Sequence, residues 1–566
     1  MTEPQAEQAA GVLAPEAALF ADNDPALLGK ALTAAARAVT QSPLATASRT
    51  LQLYERLWNT ATATASRLAG RTADGPMPVP ARDKRFTDPA WEDNPAFWGL
   101  RQAYLAWRQY GEDLLNVSDL GKVQAAKAEL GLSFLHDALS PTNFAATNPA
   151  VLKRALETGG RSLVDGARNF VDDLVHNNGR PRQVDTSPFE VGRNLACTPA
   201  KVVYRNELIE VLQYLPQTER VHEIPLLCSP PWINKYYVMD LAPQRSFIEW
   251  AVQHDRTVFA ISYRNPDASM AKTSMDDYLV KGPRAAMDVI SEITGAEKID
   301  FVGLCLGGAL TMMTATYLDE AGDDRLNSIT LLNTMVDYTE PGALGTFTDE
   351  ETIAKLEQRM ERRGFLEAQD MVGTFDILRA NDLIFNYVVS NWLMGKQPPA
   401  FDILAWNSDA TRMPAAMHSF YLRNFYLRNK FVKGELQVRG QTLNLGDVDQ
   451  DLYVVSAIND HIVPWTSSYA TLKHVRGNAR FVLSSGGHIA GIVNPPSPKA
   501  WFVTGEQYPD DPQAWRTAGE RHAGSWWEDW ADWGAKRSGP LVEPPPVGSD
   551  MHPVLGDGPG VYVKEK

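Results

Sequence analysis

Cysteine is scarce. Three thiols, Cys197, Cys228 and Cys305, in 566 residues are too few for a disulfide framework, so a reducing, cytoplasmic setting is expected. Positive charge is in deficit as well: 54 Lys and Arg stand against 69 Asp and Glu, a formal net charge of −15. That balance argues against general nucleic-acid binding and leaves any anionic substrate to a local basic patch. No run approaches the roughly 18–20 apolar residues of a membrane span. The opening Met-Thr-Glu-Pro-Gln-Ala-Glu is acidic and lacks an apolar signal core. A soluble intracellular chain without a transmembrane segment is therefore expected, with no metal and no cofactor. What is present, 44% hydrophobic and 22% charged residues, excludes a disordered or fibrous class. At this length two or three structural units are expected.

Residues 1–75 are alanine-rich with helical stretches at 25–40 and 50–68, a variable helical region ending in a proline-bearing linker. Residues 76–188 read as a helical domain. Its aromatic stretch, with Trp91, Phe97, Trp98, Tyr104 and Trp107, is expected to pack a helix onto its neighbour; a surface for polymer or a partner is the other reading. From residue 189 the texture changes to short β-branched or aromatic runs, at 201–204, 209–214, 224–228 and 258–262, with helical windows between some of them. Further strands are expected at 299–302, 329–332, 452–456 and 480–483. Hairpin strands followed by alternating strand and helix predict an α/β fold with a mostly parallel sheet, the order of the α/β-hydrolase architecture. The core then divides into 189–336 and 444–535. Residues 337–443 break the alternation and read as a cap inserted over the site. A close repeat inside it, Tyr421-Leu422-Arg423-Asn424 and Tyr426-Leu427-Arg428-Asn429, reads as local. Trp526, Trp530 and Trp533 share one helical face, expected to be core, and 536–566 reads as a tail.

The strand at 299–302 runs into Gly303-Leu304-Cys305-Leu306-Gly307-Gly308, and a helix-forming segment follows at once. This is the pattern of a nucleophile elbow with cysteine in place of serine. At Gly303 and Gly307 a side chain would collide across the tight turn, and a thiol at a helix N-terminus is favoured as thiolate. In this fold the order is nucleophile, acid, histidine. His488, in the loop Ser484-Ser485-Gly486-Gly487-His488 after the last expected strand, is the base. Asp460, after the preceding strand, is the acid; Asp337, one strand earlier, is the alternative. His461 reads as structural support, and Cys197 and Cys228 as packed thiols. The oxyanion donors are the N–H of Leu306 and that of Trp232 or Ile233, because Pro230 and Pro231 have none to give.

Five motifs in order, Gly303 to Gly308, Pro230-Pro231-Trp232-Ile233-Asn234-Lys235-Tyr236-Tyr237, Ser262-Tyr263-Arg264-Asn265-Pro266, Asp460-His461-Ile462-Val463-Pro464-Trp465 and Gly486-Gly487-His488-Ile489-Ala490-Gly491, together resemble the polyhydroxyalkanoate (PHA) synthases. The likeness covers roughly residues 80–535. It implies an acyltransferase that polymerises (R)-3-hydroxyacyl-CoA, with Cys305, Asp460 and His488 at the catalytic positions. It also implies a cytoplasmic, granule-associated homodimer with phasins as partners, and the chain's length is similar to that of the synthases needing no second subunit type (class I). Trp232 departs from the family, where a smaller residue is common.

The thiol has a chemical reason: attack on a CoA thioester yields another thioester, which keeps its transfer potential for a hydroxyl acceptor. Lys235, Arg264, Arg423 and Arg428 are candidates to guide the polyanionic CoA. A short-chain substrate, 3-hydroxybutyryl-CoA, is expected because Trp232 and an aromatic cap restrict the pocket. The rivals are a cysteine-dependent hydrolase or depolymerase of the same fold and a catalytically inactive granule-binding protein.

Overall fold

The computed structural model describes residues 25–80 and 83–566; the first 24 residues of the expected N-terminal region lie outside them. Contacts divide the chain into a helical unit, Met1–Asp185 with Gln369–Pro399, and an α/β unit, Thr186–Ala368 with Ala400–Lys566.

The helical unit carries α1 (Pro25–Gln41), α2 (Pro43–Leu68), α3 (Pro95–Asn116), α4 (Lys122–Ala138) and α5 (Arg161–His176). Local chemistry sets where α3 starts. Pro95 occupies its first turn, where no amide partner is needed, and the Asn94 side chain accepts from the N–H groups of Ala96 and Phe97. Trp91 and Trp98 are buried, and Phe97 and Trp107 pack against the cluster of Phe86, Trp91 and Tyr104. These aromatics are core, so the reading of them as a partner surface does not hold.

Residues 369–399 also differ from the expectation of one continuous cap, because they belong to the helical unit. Ile377, Ala380 and Ile384 pack with Phe134 of α4. The Asn169 amide donates to the carbonyls of Asn391 and Lys396, 3.0 Å each, and the Trp392 indole donates to Asp173 at 2.8 Å. A Cβ on Gly166 of α5 would lie 2.0 Å from the Trp392 carbonyl oxygen, so only glycine admits this approach.

In the α/β unit the large sheet consists of β1 (Ala200–Arg205), β2 (Ile209–Tyr214), β3 (Leu226–Ser229), β4 (Val258–Tyr263), β5 (Ile299–Leu304), β6 (Leu326–Leu332), β7 (Asp451–Ala457), β8 (Ala479–Ser484), β9 (Trp501–Thr504), β10 (Glu520–Ala523) and β11 (Gly556–Asp557). Their order is β10-β9-β8-β7-β6-β5-β3-β4-β2-β1-β11. Strands β3 to β8 run parallel, flanked by antiparallel pairs at both edges. The central strands are buried on both faces, which is why they read as unbroken apolar runs.

Two helices position the site. In α6 (Leu306–Glu320), which follows β5, every residue from Leu306 to Leu318 is buried. Its threonines survive there because Thr311, Thr314 and Thr316 return their hydroxyl protons to carbonyls of the same helix. In α7 (Trp526–Ala535), Trp526, Trp527, Trp530 and Trp533 are all buried, the core packing expected. The segment read as a tail is part of this unit: β11 pairs with β1, and the N–H groups of Val561 and Tyr562 donate to Glu210.

Candidate active site

Strand β5 ends at Leu304, and Cys305 takes φ 53° and ψ −115° before α6 begins. A non-glycine residue in that region carries on the order of 1–3 kcal/mol of strain. Its surroundings hold it there. The Cys305 N–H still donates to the Leu332 carbonyl at 2.8 Å, and its own carbonyl accepts from Gly308 and Ala309. The glycines are required sterically. A Cβ on Gly303 would lie 2.5 Å from Gly308 Cα, one on Gly308 1.9 Å from Thr334 Oγ1, and one on Gly307 2.2 Å from the Ser229 carbonyl oxygen. The contact at Gly307 brings the loop that leaves β3 against the start of α6. The first amides of a helix have no intrahelical acceptor, so the Leu306 N–H is free to face a ligand. In the same loop, the carbonyls of Trp232 and Ile233 accept from the hydroxyl and N–H of Thr411.

His488 lies in the turn after β8 and is 7% exposed, while the Asp460 side chain, after β7, is fully buried. Its Nδ1 stands 2.7 Å from Asp460 Oδ2, and Asp460 Oδ1 accepts from the N–H groups of Ile462 and Val463 at 2.9 Å each. Burial disfavours the His488 imidazolium, but Asp460 and Cys305 together outweigh it and hold its pKa well above the usual value. With Nδ1 committed to Asp460, the other ring nitrogen remains for Cys305. The His488 loop is itself clamped. The indole N–H groups of Trp526 and Trp527 donate to the carbonyls of Gly491 and Ile492 at 2.8 and 2.9 Å, and the Asn333 amide donates to the His488 carbonyl. The structure thus brings Cys305, Asp460 and His488 together at the C-terminal ends of three parallel strands. Asp337 is elsewhere engaged: His474, Thr339 and Asn429 surround it and hold its carboxyl below the usual range.

An aromatic shell, not identified in the sequence, stands around the thiol. Burial raises the phenols of Tyr338, Tyr421 and Tyr426; neighbouring tyrosines come next for Tyr338 and Tyr421 and Cys305 next for Tyr426, and Cys305 adds a smaller push at the other two. The hydroxyls of Tyr338 and Tyr421 are 2.8 Å apart, and the Trp232 ring meets Tyr421 edge-on at 5.6 Å. The signal was the five-residue repeat. Residues Leu422–Leu427 form a π-helical turn, whose i to i+5 bonding matches that offset and brings the two tyrosine rings within 5.6 Å.

The four candidate cations fare differently. Lys235 is buried, with its ammonium donating to the Glu565 carbonyl at 2.5 Å. Arg264 pairs with Asp267 and Glu565, and Arg423 with Glu350 and Glu357. Arg428 is exposed, and among the described residues its guanidinium has no ion-pair partner. Cys228 is fully buried, which raises its thiol pKa, and Cys197 is half-buried.

The family model described as "Poly-beta-hydroxybutyrate polymerase (PhaC) N-terminus" matches residues 82–251, and an alpha/beta hydrolase fold model matches 225–495. A poly(3-hydroxyalkanoate) polymerase of Methylorubrum extorquens is 39% identical over 91% of this chain and 86% of its own length. The polymerase subunit PhaC of Rhizobium meliloti is 40% identical over 88% and 82%, and that of Cupriavidus necator 39% identical over 86% and 84%. Among solved structures, a 2-hydroxy-6-oxo-6-phenylhexa-2,4-dienoate hydrolase from Rhodococcus is 16% identical, covering 52% of this chain and 93% of its own, with a TM-score of 0.30 that carries no argument about activity. On the identity and coverage of these relatives, the chain belongs to the poly(3-hydroxyalkanoate) polymerase family.

Proposed function

We propose that this chain polymerises (R)-3-hydroxyacyl-CoA through an acyl-enzyme on Cys305. The observation that carries the reading is His488 held between the buried Asp460 carboxylate and the thiol on the strained turn. The Cys305 sulfur attacks the thioester carbonyl, and His488 takes the thiol proton. The tetrahedral oxyanion faces the Leu306 N–H and that of Trp232 or Ile233. On collapse the carbon–sulfur bond to CoA breaks, and His488 returns the proton to the departing CoA thiolate. For elongation, His488 removes the proton from a 3-hydroxyl, whose oxygen attacks the Cys305 thioester. An oxygen ester forms, and the released cysteine thiolate is reprotonated by His488.

Asp460 acts through the imidazole in this scheme. Its side chain is inaccessible, and both oxygens are engaged by His488, Ile462 and Val463. Of the candidate cations, Arg428 has its charge uncommitted to carboxylates and is the first to test for CoA guidance. Association with polyester granules and with phasins in the cytoplasm belongs to the same proposal.

A four-carbon substrate fits the aromatic shell. Trp232 is 2% exposed and wedged against Tyr421 and Tyr278, so it takes up room within the aromatic shell that a longer acyl chain would need. Incubation with 3-hydroxybutyryl-CoA should release CoA and deposit insoluble polyester. Free hydroxyacid as the sole product would instead make the chain a hydrolase, and unchanged turnover in Cys305→Ala would remove the thiol from the mechanism. Trp232→Ala should raise the rate with an eight-carbon substrate relative to the four-carbon one by at least roughly tenfold, the low end of the discrimination one methylene gives in an apolar pocket.

A further inference from the structure

Strand β6 stands between β5, which ends at Cys305, and β7, which leads to Asp460. The residues at its end touch all three parts of the site. The Leu332 carbonyl accepts from the Cys305 N–H at 2.8 Å and from the Thr334 hydroxyl at 3.2 Å. The Asn333 N–H donates to the Val455 carbonyl of β7 at 2.8 Å, and its side-chain amide donates to the His488 carbonyl. One step on, the Thr334 carbonyl accepts from the Ser468 hydroxyl at 2.7 Å, in the short helix Trp465–Ala470 that follows the Asp460 turn. Asp460 and His488 also hold each other: beside the carboxylate–imidazole contact, the Asn459 N–H donates to the Gly486 carbonyl at 2.9 Å. Their distance from Cys305 is a separate matter, because the thiol belongs to another strand.

The indoles of α7 fasten this loop beyond His488, at Gly491 and Ile492, whereas the Asn333 amide acts on the carbonyl of His488 itself. Position 333 demands an unusual residue. Asn333 takes φ 43° and is fully buried. Left-handed backbone excludes β-branched and bulky side chains, and asparagine is among the few residues that adopt it readily. Glycine would meet the backbone demand and bring no donor. Aspartate would keep the shape, but its carboxylate has only acceptors to offer. Asn333 Oδ1 has no partner among the described residues, so the side chain acts through the bond that Nδ2 donates. A reversed amide would set Oδ1 against the His488 carbonyl oxygen, so the donor is fixed by what it faces.

We propose that Asn333 is a positioning residue that sets His488 at its working distance from Cys305. The proposal rests on the reading of His488 as the base for that thiol, not on which acyl group is transferred. Iodoacetamide takes the thiolate, which forms when His488 accepts the thiol proton, so alkylation of Cys305 read by peptide mass spectrometry reports the pair without any acyl-CoA. Asn333→Gly should slow that alkylation about fivefold or more at pH 7. With 3-hydroxybutyryl-CoA the same variant should lose about ten- to a hundredfold in kcat and keep KM within about twofold, the mark of a misplaced group rather than of lost binding. Asn333→Asp keeps the side-chain shape. Burial favours its neutral acid, whose O–H donates to the His488 carbonyl, whereas the carboxylate repels it. The ratio of variant to parent alkylation rate should therefore rise about threefold or more from pH 8 to pH 6. Cys305, Asp460 and His488 titrate in both proteins, so the ratio isolates the new group. Fully buried Cys228 reports unfolding: its alkylation would mark a glycine variant that has lost its fold, and the aspartate ratio then decides. Parental alkylation in Asn333→Gly, or an aspartate ratio equal at the two pH values, overturns the proposal. A parent that releases no CoA while the alkylation differences stand would overturn the polymerase reading and support the role of Asn333.

Discussion

Asp460 and His488 are 28 positions apart in the chain, yet 2.7 Å separates carboxylate from imidazole. Asp460 and Cys305 raise the His488 pKa against the penalty of burial, so in the proposed mechanism the imidazolium is stabilised while it holds the proton taken from the thiol. Removing the carboxylate charge must lower that pKa. Asp460→Asn is therefore expected to reduce CoA release by about two to four orders of magnitude. The acid limb of its kcat/KM profile should move to lower pH. A pH–rate series on both proteins checks this: a loss of height without displacement of the limb would make the role of Asp460 purely steric. Residue chemistry also separates the four candidate cations, three of which have acceptors within the fold. Lysine and arginine in a sequence carry no label for their acceptors, and Glu565, Asp267, Glu350 and Glu357 supply them within the fold.

At the scale of elements, the turn between β5 and α6 is a packing problem as much as a catalytic one. Gly307 is the point where α6 meets the loop leaving β3, with carbonyl oxygens of Ser229 and Pro230 in the space a side chain would need. Those atoms are backbone and cannot rotate away. Gly307→Ala should therefore move the loop, costing about 1–3 kcal/mol of stability. It should also slow CoA release at least tenfold, because the displaced loop carries the proposed second oxyanion donor. Urea unfolding and initial rates measure the two effects separately, and a variant with parental activity would place the second donor elsewhere. Helix α7 shows the same division of labour. Its indoles fill the core, but Trp526 and Trp527 also fasten the loop on which His488 sits.

Across the whole molecule, buried titratable groups of opposite sense act on pH stability. In the α/β unit, burial lowers His418 to about 4 and, at Asp240, burial outweighs the hydroxyls of Thr198, Ser246 and Tyr214 to raise the carboxyl to about 6. For His418 the folded pKa lies below the unfolded one, so its contribution is full above about 6.5 and is lost as pH falls toward 4. For Asp240 the folded state binds the proton more tightly, so stability grows as pH falls from about 6 to 4. The two oppose one another. His418→Gln removes the first, so relative to the parent the variant should gain about 3 kcal/mol between pH 6.5 and 4. Urea unfolding at those pH values reads the difference, and parallel curves would show that His418 does not titrate in that range.

The sequence by itself determined the parts whose physics is local. Glycines around Cys305, apolar runs at strand length, and an acid and a histidine each directly after a strand needed no distant partner to be recognised, so the elbow, the parallel sheet and the order of the candidate site residues were legible. The tertiary structure alone decided matters that hang on contacts between remote residues. Phe134 and Asp173 draw Gln369–Pro399 into the helical unit, β11 turns an apparent tail into a sheet edge, and three tyrosines from two separated segments, Tyr338, Tyr421 and Tyr426, pack on one another. In each case the stabilising partner lies far along the chain, and side-chain packing rather than periodicity selects it.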